Sequence, residues 1–108
     1  MKDHQRQANE ALFKQLAEEL LTDPDVSRST MMGYPCLRFR GAYFACISRD
    51  SAQLIVKLPA ETVAELIATG EALPFAPNGR TFREWVELHN TDANRSRSLV
   101  AQAKAFVT

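Results

Sequence analysis

The two cysteines, Cys36 and Cys46, are the most reactive side chains in the sequence, and they flank Gly41 at similar distances. If the chain folds back at Gly41, a three-residue loop places the thiols opposite each other across two strands, whereas a two-residue loop shifts them out of register. The pair is then either a redox switch or two reduced core residues. We favour the second interpretation, because free cysteine is among the most buried residue types.

Other catalytic chemistry has little support in the residue pattern. His4 and His89 are the only histidines, and neither lies in a Ser-His-Asp or Cys-His motif. No His/Cys cluster has the spacing of zinc ligands, and the loop around Asn78-Gly79 lacks the glycine spacing of a phosphate cradle. We therefore expect no enzymatic activity, no catalytic residue, no cofactor and no metal site.

Two arginines stand two residues apart in an alternating stretch of the chain. Arg38 and Arg40 are predicted to project from one face of a strand, while Leu37 and Phe39 face the other way. Arg28 is predicted on a neighbouring strand. These arginines are candidates for direct contacts with the phosphates of DNA.

The chain's single tryptophan lies in a strand predicted over residues 82–89. Alternation places Phe82 and Val86 on one face, and Arg83 and Trp85 on the other. If helices cover the Val86 face, Trp85 lies on the opposite surface, where an aromatic ring among guanidinium groups suits single-stranded nucleic acid or a protein hot spot. The predicted interaction surface comprises Arg28, Arg38, Arg40, Arg83 and Trp85. The other interpretation of Trp85, and the one we favour for this residue taken by itself, is that it packs against a loop or the arginine stems.

A second basic feature opens the last predicted helix. Arg95 and Arg97 lie in its first turn, where cations oppose the helix dipole. They are candidate phosphate contacts, although a solvated first turn is the interpretation we favour.

Periodicity and breaker residues divide the chain into elements of a single domain spanning residues 1–108. The predicted fold class is α+β, an antiparallel sheet of about five strands with helices mainly on one face, in the order α-β-β-β-β-α-β-α. The predicted helices cover residues 3–21 and 60–69 and a last segment capped by Asn90, Thr91 or Asp92. The predicted strands cover residues 26–32, 36–40, 42–48, 53–58 and 82–89, with an irregular edge or loop at 73–80.

Composition narrows the classes of partner. Thirteen basic residues balance thirteen acidic ones among 108, so nucleic-acid binding would depend on a local patch. The first residues lack an apolar signal core, and no apolar run approaches the ~18 residues of a membrane span. We therefore expect a cytoplasmic protein that does not enter the membrane.

The chain contains several short motifs, which are Met31-Met32-Gly33, Leu37-Arg38-Phe39-Arg40-Gly41-Ala42-Tyr43-Phe44-Ala45, Leu54-Ile55-Val56-Lys57-Leu58, Pro74-Phe75 and Gly79-Arg80. Together they resemble the small bacterial proteins of the TfoX N-terminal family and the related YjbR (MmcQ)-like family. The resemblance covers nearly the whole chain, although Tyr34-Pro35 stands where the family has a second glycine, which leaves the branch open. It implies an α+β fold, no established enzymatic activity and no agreed active site. TfoX-like proteins are linked to regulation of DNA-uptake competence, and YjbR-like proteins are commonly labelled DNA-binding.

Together these features predict a non-enzymatic regulatory or interaction module that uses an exposed sheet face to bind a protein partner or a second copy of itself. Direct, low-affinity DNA binding through the arginines is the first alternative. A small-molecule or enzymatic pocket near Tyr34, Cys36 and Tyr43 is the second.

Overall fold

Three helices and six strands form a two-layer α+β fold in the computed structural model, which describes residues 2–108, apart from the side chains at positions 2, 3 and 78. The predicted fold class is confirmed. The structure has one strand more than the five predicted. This short strand lies in the segment that was predicted to be an edge or a loop. The elements are α1 (Lys2–Leu20), β1 (Val26–Met31), β2 (Tyr34–Phe39), β3 (Ala42–Ile47), β4 (Leu54–Lys57), α2 (Ala60–Ala68), β5 (Ala72–Pro74), β6 (Trp85–Leu88) and α3 (Ala93–Val107), with one 3₁₀ turn at Pro77–Gly79.

The sheet is antiparallel, with the strand order β1-β2-β3-β4-β6-β5. Its first four strands form a meander, as expected from the short connections between them. The short strand β5 lies at the edge and ends in Pro74. A proline is tolerated there because an edge strand leaves amide groups outside the ladder.

All three helices pack on one face of the sheet, which we call the covered face. Alternation directs Leu37 and Phe39 of β2 to this face, as predicted. Asp92 caps α3 by accepting a hydrogen bond from the backbone N–H of Arg95 at 2.7 Å. The helices contribute Phe13, Leu16, Ala17, Val63, Leu66, Leu99, Val100 and Ala103 to the core.

The β2–β3 hairpin turns through two residues, Arg40 and Gly41, which both have positive φ angles of 50° and 85°. Positive φ at both central positions is typical of a type I′ turn, which matches the twist of the flanking strands. The turn pairs Phe39 with Ala42, and a register shift follows between Leu37 and Arg38. Phe44 is the extra residue in this β-bulge, and it lies buried on the covered face.

Candidate functional site

The opposite side of the sheet, which we call the outer face, carries the tryptophan as predicted. Lys57 pairs with Trp85 across β4 and β6, and Arg38 pairs with Tyr43 across β2 and β3. Each of these residues lies near the same end of the sheet, because β2 and β4 finish where β3 and β6 begin. The outer face therefore collects cationic and aromatic side chains at one end.

The segment between β5 and β6 brings further groups to this end. Phe75 is buried on the outer face, where its ring centroid lies 6.4 Å from that of Trp85 and 5.9 Å from that of Phe82. The prediction that Phe82 shares the covered face with Val86 is wrong. A turn, closed by the Trp85 N–H donating to the Phe82 carbonyl at 3.3 Å, interrupts the alternation, so β6 begins only at Trp85.

Arg80 and Arg83 complete a cationic cavity beside these rings. The cavity has a volume of about 520 Å³, and Lys57, Arg80 and Arg83 line it together with Phe82 and Trp85. The Arg80 guanidinium lies 5.6 Å from the centre of the Phe82 ring, a cation–π distance. We define the basic-aromatic surface as Arg38, Tyr43, Lys57, Arg80, Phe82, Arg83 and Trp85.

The cations of the basic-aromatic surface form no ion pair with any side chain that the structure describes. Among the side chains that the structure describes, the four ion pairs use Arg40, Arg95, Arg97 and Lys104. Glu84 lines the cationic cavity without forming an ion pair there. The surface therefore presents a local excess of positive charge on a chain whose net charge is zero.

Arg38 contributes a donor that the fold leaves unused. Its guanidinium lies 5.9 Å from the centre of the Tyr43 ring, and its buried Nε has no hydrogen-bond partner among the described atoms. A buried donor without an acceptor costs about 1–3 kcal/mol. An anionic group bound at this end could accept hydrogen bonds from the guanidinium.

Two predicted members of the surface lie elsewhere. Arg28 pairs with Leu37, so it lies on the covered face, where it lines a cavity with Glu10 and Lys14 of α1. The prediction that groups Arg28 with Arg38 is therefore wrong. The polar sequence of β1 gives no apolar alternation from which its covered side could be identified.

Arg40 also departs from the predicted arrangement, because it belongs to the turn rather than to β2. Its guanidinium forms an ion pair with Asp25 at 3.1 Å and lies 5.4 Å from the centre of the Phe39 ring. Since Phe39 is on the covered face, Arg40 is directed away from Arg38. The predicted arginine pair is thus divided between the two sides of the sheet.

Arg95 and Arg97, the candidate phosphate contacts, are both engaged in ion pairs. Arg95 contacts Glu71 at 2.8 Å, and Arg97 contacts Glu19 of α1. The Arg95 contact lowers the pKa of the Glu71 carboxyl below its usual value. These two ion pairs connect the start of α3 to Glu71 and to α1.

The two cysteines are joined as a disulfide on the outer face, with their Cα atoms 4.1 Å apart. A two-residue turn alone would have left them out of register, and the bulge at Phe44 restores their opposition. Both residues are buried, as predicted, but the expectation of two reduced thiols differs from this structure. The disulfide packs with Ile55 and Phe75 in a buried cluster of the outer face, and Tyr43 and Trp85 of the basic-aromatic surface pack against this cluster.

Glu87 continues the row of the disulfide across the sheet, since it pairs with Ile55. Partial burial raises the pKa of its carboxyl above the usual value, although a hydrogen bond donated by Ser51 at 3.4 Å and the charge of His89 act in the opposite direction. A carboxyl of this kind resists ionisation. Its side-chain hydrogen-bond partner is the Ser51 hydroxyl, and the two cysteines of the same row are bonded to each other.

Sequence reasoning assigned Arg38, Arg83 and Trp85 to this surface. It assigned Tyr43 to a separate candidate pocket, and it missed Lys57, Arg80 and Phe82. The signal for Lys57 was present, because in a predicted strand its side chain shares a face with Ile55 and lies opposite Val56. Arg80 and Phe82 follow a turn whose path over the outer face depends on contacts distant in sequence. Alternation gives no information about such a segment.

The chain matches no family model, no curated protein and no solved structure in comparisons with known proteins. Within residues 2–108, none of the helices combines the length and hydropathy needed to cross a bilayer.

Proposed function

We propose that this protein is a non-enzymatic interaction module whose basic-aromatic surface binds an acidic segment of a protein partner. The observation that carries this proposal is the placement of Lys57, Arg80 and Arg83 around the rings of Phe82 and Trp85, with no ion pair to neutralise them among the described side chains. Charge complementarity with an acidic chain follows directly from that arrangement.

The residue types of the surface are those that dominate binding energy in protein interfaces. Tryptophan, tyrosine and arginine are enriched at hot spots because each combines a large apolar area with directional polar groups. Trp85 is half-buried against Phe75, so its ring is held in place before a partner arrives. A preorganised ring loses little conformational entropy on binding.

A regulatory role is part of the proposal. The motifs around Met31-Met32-Gly33 and the β2–β3 hairpin resemble TfoX and YjbR-like proteins, for which no enzymatic activity is established. A module without catalytic machinery regulates by occupying its partner. This supports an assignment to regulation through protein contact.

Single-stranded nucleic acid is the second candidate, and the exposed ring of Phe82 favours it. Phe82 retains 36% of its surface and lies beside Arg80 and Arg83, as expected of a platform on which bases stack. The zero net charge of the chain opposes high affinity, because phosphate contacts supply most of the binding energy.

Trp85 is the only tryptophan, so its fluorescence reports directly on this surface. We expect polyglutamate to change Trp85 emission saturably at low salt, and polylysine to leave it unchanged. Binding of oligothymidylate with higher affinity than polyglutamate would establish the second candidate instead. An emission spectrum that does not respond to either polyanion would refute both.

Self-association is measured in the same samples by light scattering. A mass that doubles with concentration, and that Trp85→Ala returns to the monomer value, would identify a second copy as the occupant and contradict the acidic-segment proposal. A monomeric mass at every concentration is the expected result.

A further inference from the structure

An apolar groove adjoins the cationic cavity on the other side of the segment that leads into β6. The groove has a volume of about 460 Å³ and shares Ala60, Thr81, Phe82, Arg83 and Trp85 with the cationic cavity. The five lining residues in common make the groove and the cationic cavity immediate neighbours, and we treat the pair as two halves of one depression. The cavity is lined by three cations and the Glu84 carboxylate, whereas the groove is lined mainly by apolar side chains, with Glu61 as its one carboxylate.

Helix α2 provides one wall of the groove. Ala60, Val63, Ala64 and Ile67 follow the i, i+3, i+4, i+7 spacing of a single helix face, and all four line the groove. Ala60 and Ala64 are exposed and end at Cβ, so they leave room that a larger side chain would fill. Pro74, Phe82 and Trp85 form the opposite wall.

Resting on the proposed function, we infer that the partner segment combines carboxylates with an apolar anchor residue, which enters the groove between Ala64 and Phe82 while the carboxylates meet the cationic cavity. Arg83 lines both halves and lies at the junction between anchor and carboxylate. The occupant is thus an acidic peptide segment with one large aliphatic or aromatic side chain.

The exposure of the walls favours a peptide over a small molecule. Ala60, Ala64, Phe82 and Arg83 are all exposed, so the depression opens to solvent along its length. Small-molecule sites enclose most of their ligand's surface, which an open depression does not do. A chain segment that lies across the surface needs to bury only one side and one anchor.

The test uses two synthetic peptides, an acidic heptapeptide with a central leucine and its twin with alanine at that position. Leucine exceeds alanine by three carbon atoms, and partial burial of these atoms is expected to tighten binding about tenfold. Affinities are measured by Trp85 fluorescence at one fixed salt concentration. A lysine-based heptapeptide with the same central leucine is expected not to bind.

Two variants of α2 provide matched controls. Ala64→Phe fills the groove and is expected to remove the advantage of the leucine peptide while preserving binding of the alanine peptide. Ala68→Phe adds the same ring at an exposed position of α2 that does not line the groove, and it is expected to preserve the tenfold difference.

The outcomes separate this inference from the proposed function. If the leucine and alanine peptides bind the unmodified protein with equal affinity, the inference of an apolar anchor residue is refuted, and the acidic-segment proposal is unaffected. A tenfold difference that survives in Ala64→Phe also overturns the anchor. Failure of both acidic peptides to bind overturns the proposed function and the anchor with it.

Discussion

Lys57 lies directly opposite Trp85 across β4 and β6, and both side chains line the cationic cavity on the outer face of the sheet. This pairing places a cation beside an aromatic ring on two neighbouring strands. The backbone hydrogen bonds between the strands fix the positions of both residues. Arg83, two residues before Trp85, joins them from the adjacent turn. A surface built in this way has fixed backbone positions where it lies on strands and is more adaptable where it lies on the turn.

The disulfide is expected to be present in the purified protein. Under denaturing conditions without reductant, thiol titration should find no free cysteine, and two should appear after reduction. Because the bond closes a loop with a sequence separation of 10, reduction is expected to lower the free energy of unfolding by about 2–3 kcal/mol.

Urea denaturation with and without reductant measures this loss. The double variant Cys36→Ala/Cys46→Ala serves as the control, since its unfolding should not respond to reductant. Two free thiols in the native, aerobically purified protein would show that the cysteines remain reduced, as predicted from the sequence.

Glu87 predicts a dependence of stability on pH. Its folded-state pKa is raised above the usual value of 4.5, so above that pH the unfolded chain releases this proton more readily than the folded protein does. Glu87 therefore contributes favourably to the free energy of unfolding while its carboxyl is protonated. This contribution is lost as the pH rises through the pKa of the folded protein. Glu87→Gln, which stays neutral, should raise the melting temperature at pH 7 relative to the unmodified protein.

Thermal unfolding from about pH 3.5 to pH 8 checks this expectation, with the gain from Glu87→Gln shrinking towards the acidic end. Glu65→Gln, at an exposed position of α2, is the matched control and should show no such trend. A gain that grows as the pH falls would have the wrong sign for a raised carboxyl pKa.

The hairpin turn predicts a purely conformational cost for Gly41→Ala. Gly41 has a φ angle of 85°, and a Cβ atom added there would meet no other atom within 4 Å. The substitution should therefore destabilise the protein by about 1–2 kcal/mol, the cost of a left-handed conformation for an L-residue. Gly41→Asn should cost less, because asparagine tolerates this conformation better.

Urea denaturation of both variants provides the comparison. Equal stability of Gly41→Ala and the unmodified protein would contradict a type I′ turn at this position.

How far the sequence predicts the fold is clearest in the β2–β3 hairpin. The alternation of Leu37 and Phe39 with Arg38 identifies the covered and outer faces, because one face must be apolar to meet the helices. The alternation of apolar and polar residues does not predict the bulge at Phe44. It follows from packing in which both Phe44 and Ala45 enter the core, and it decides that the cysteines meet.

The candidate site was predictable where alternation applies and not beyond it. Trp85 is on the predicted face because Val86 and Leu88 are buried against the helices. Arg40 lies in the hairpin turn, where the alternation of a strand no longer applies. Phe82 lies before a second turn, so its side chain does not follow the alternation of β6. The cationic cavity depends on contacts between segments distant in sequence, which no local pattern encodes.

The most direct test of the basic-aromatic surface compares two charge reversals in a polyglutamate titration followed by Trp85 fluorescence. Arg83→Glu places a carboxylate in the cationic cavity and should weaken binding at least about tenfold. Arg40→Glu makes the same change in net charge on the other side of the sheet and should leave the affinity nearly unchanged. Equal losses in the two variants would show that polyglutamate senses only net charge, which would contradict a localised binding surface.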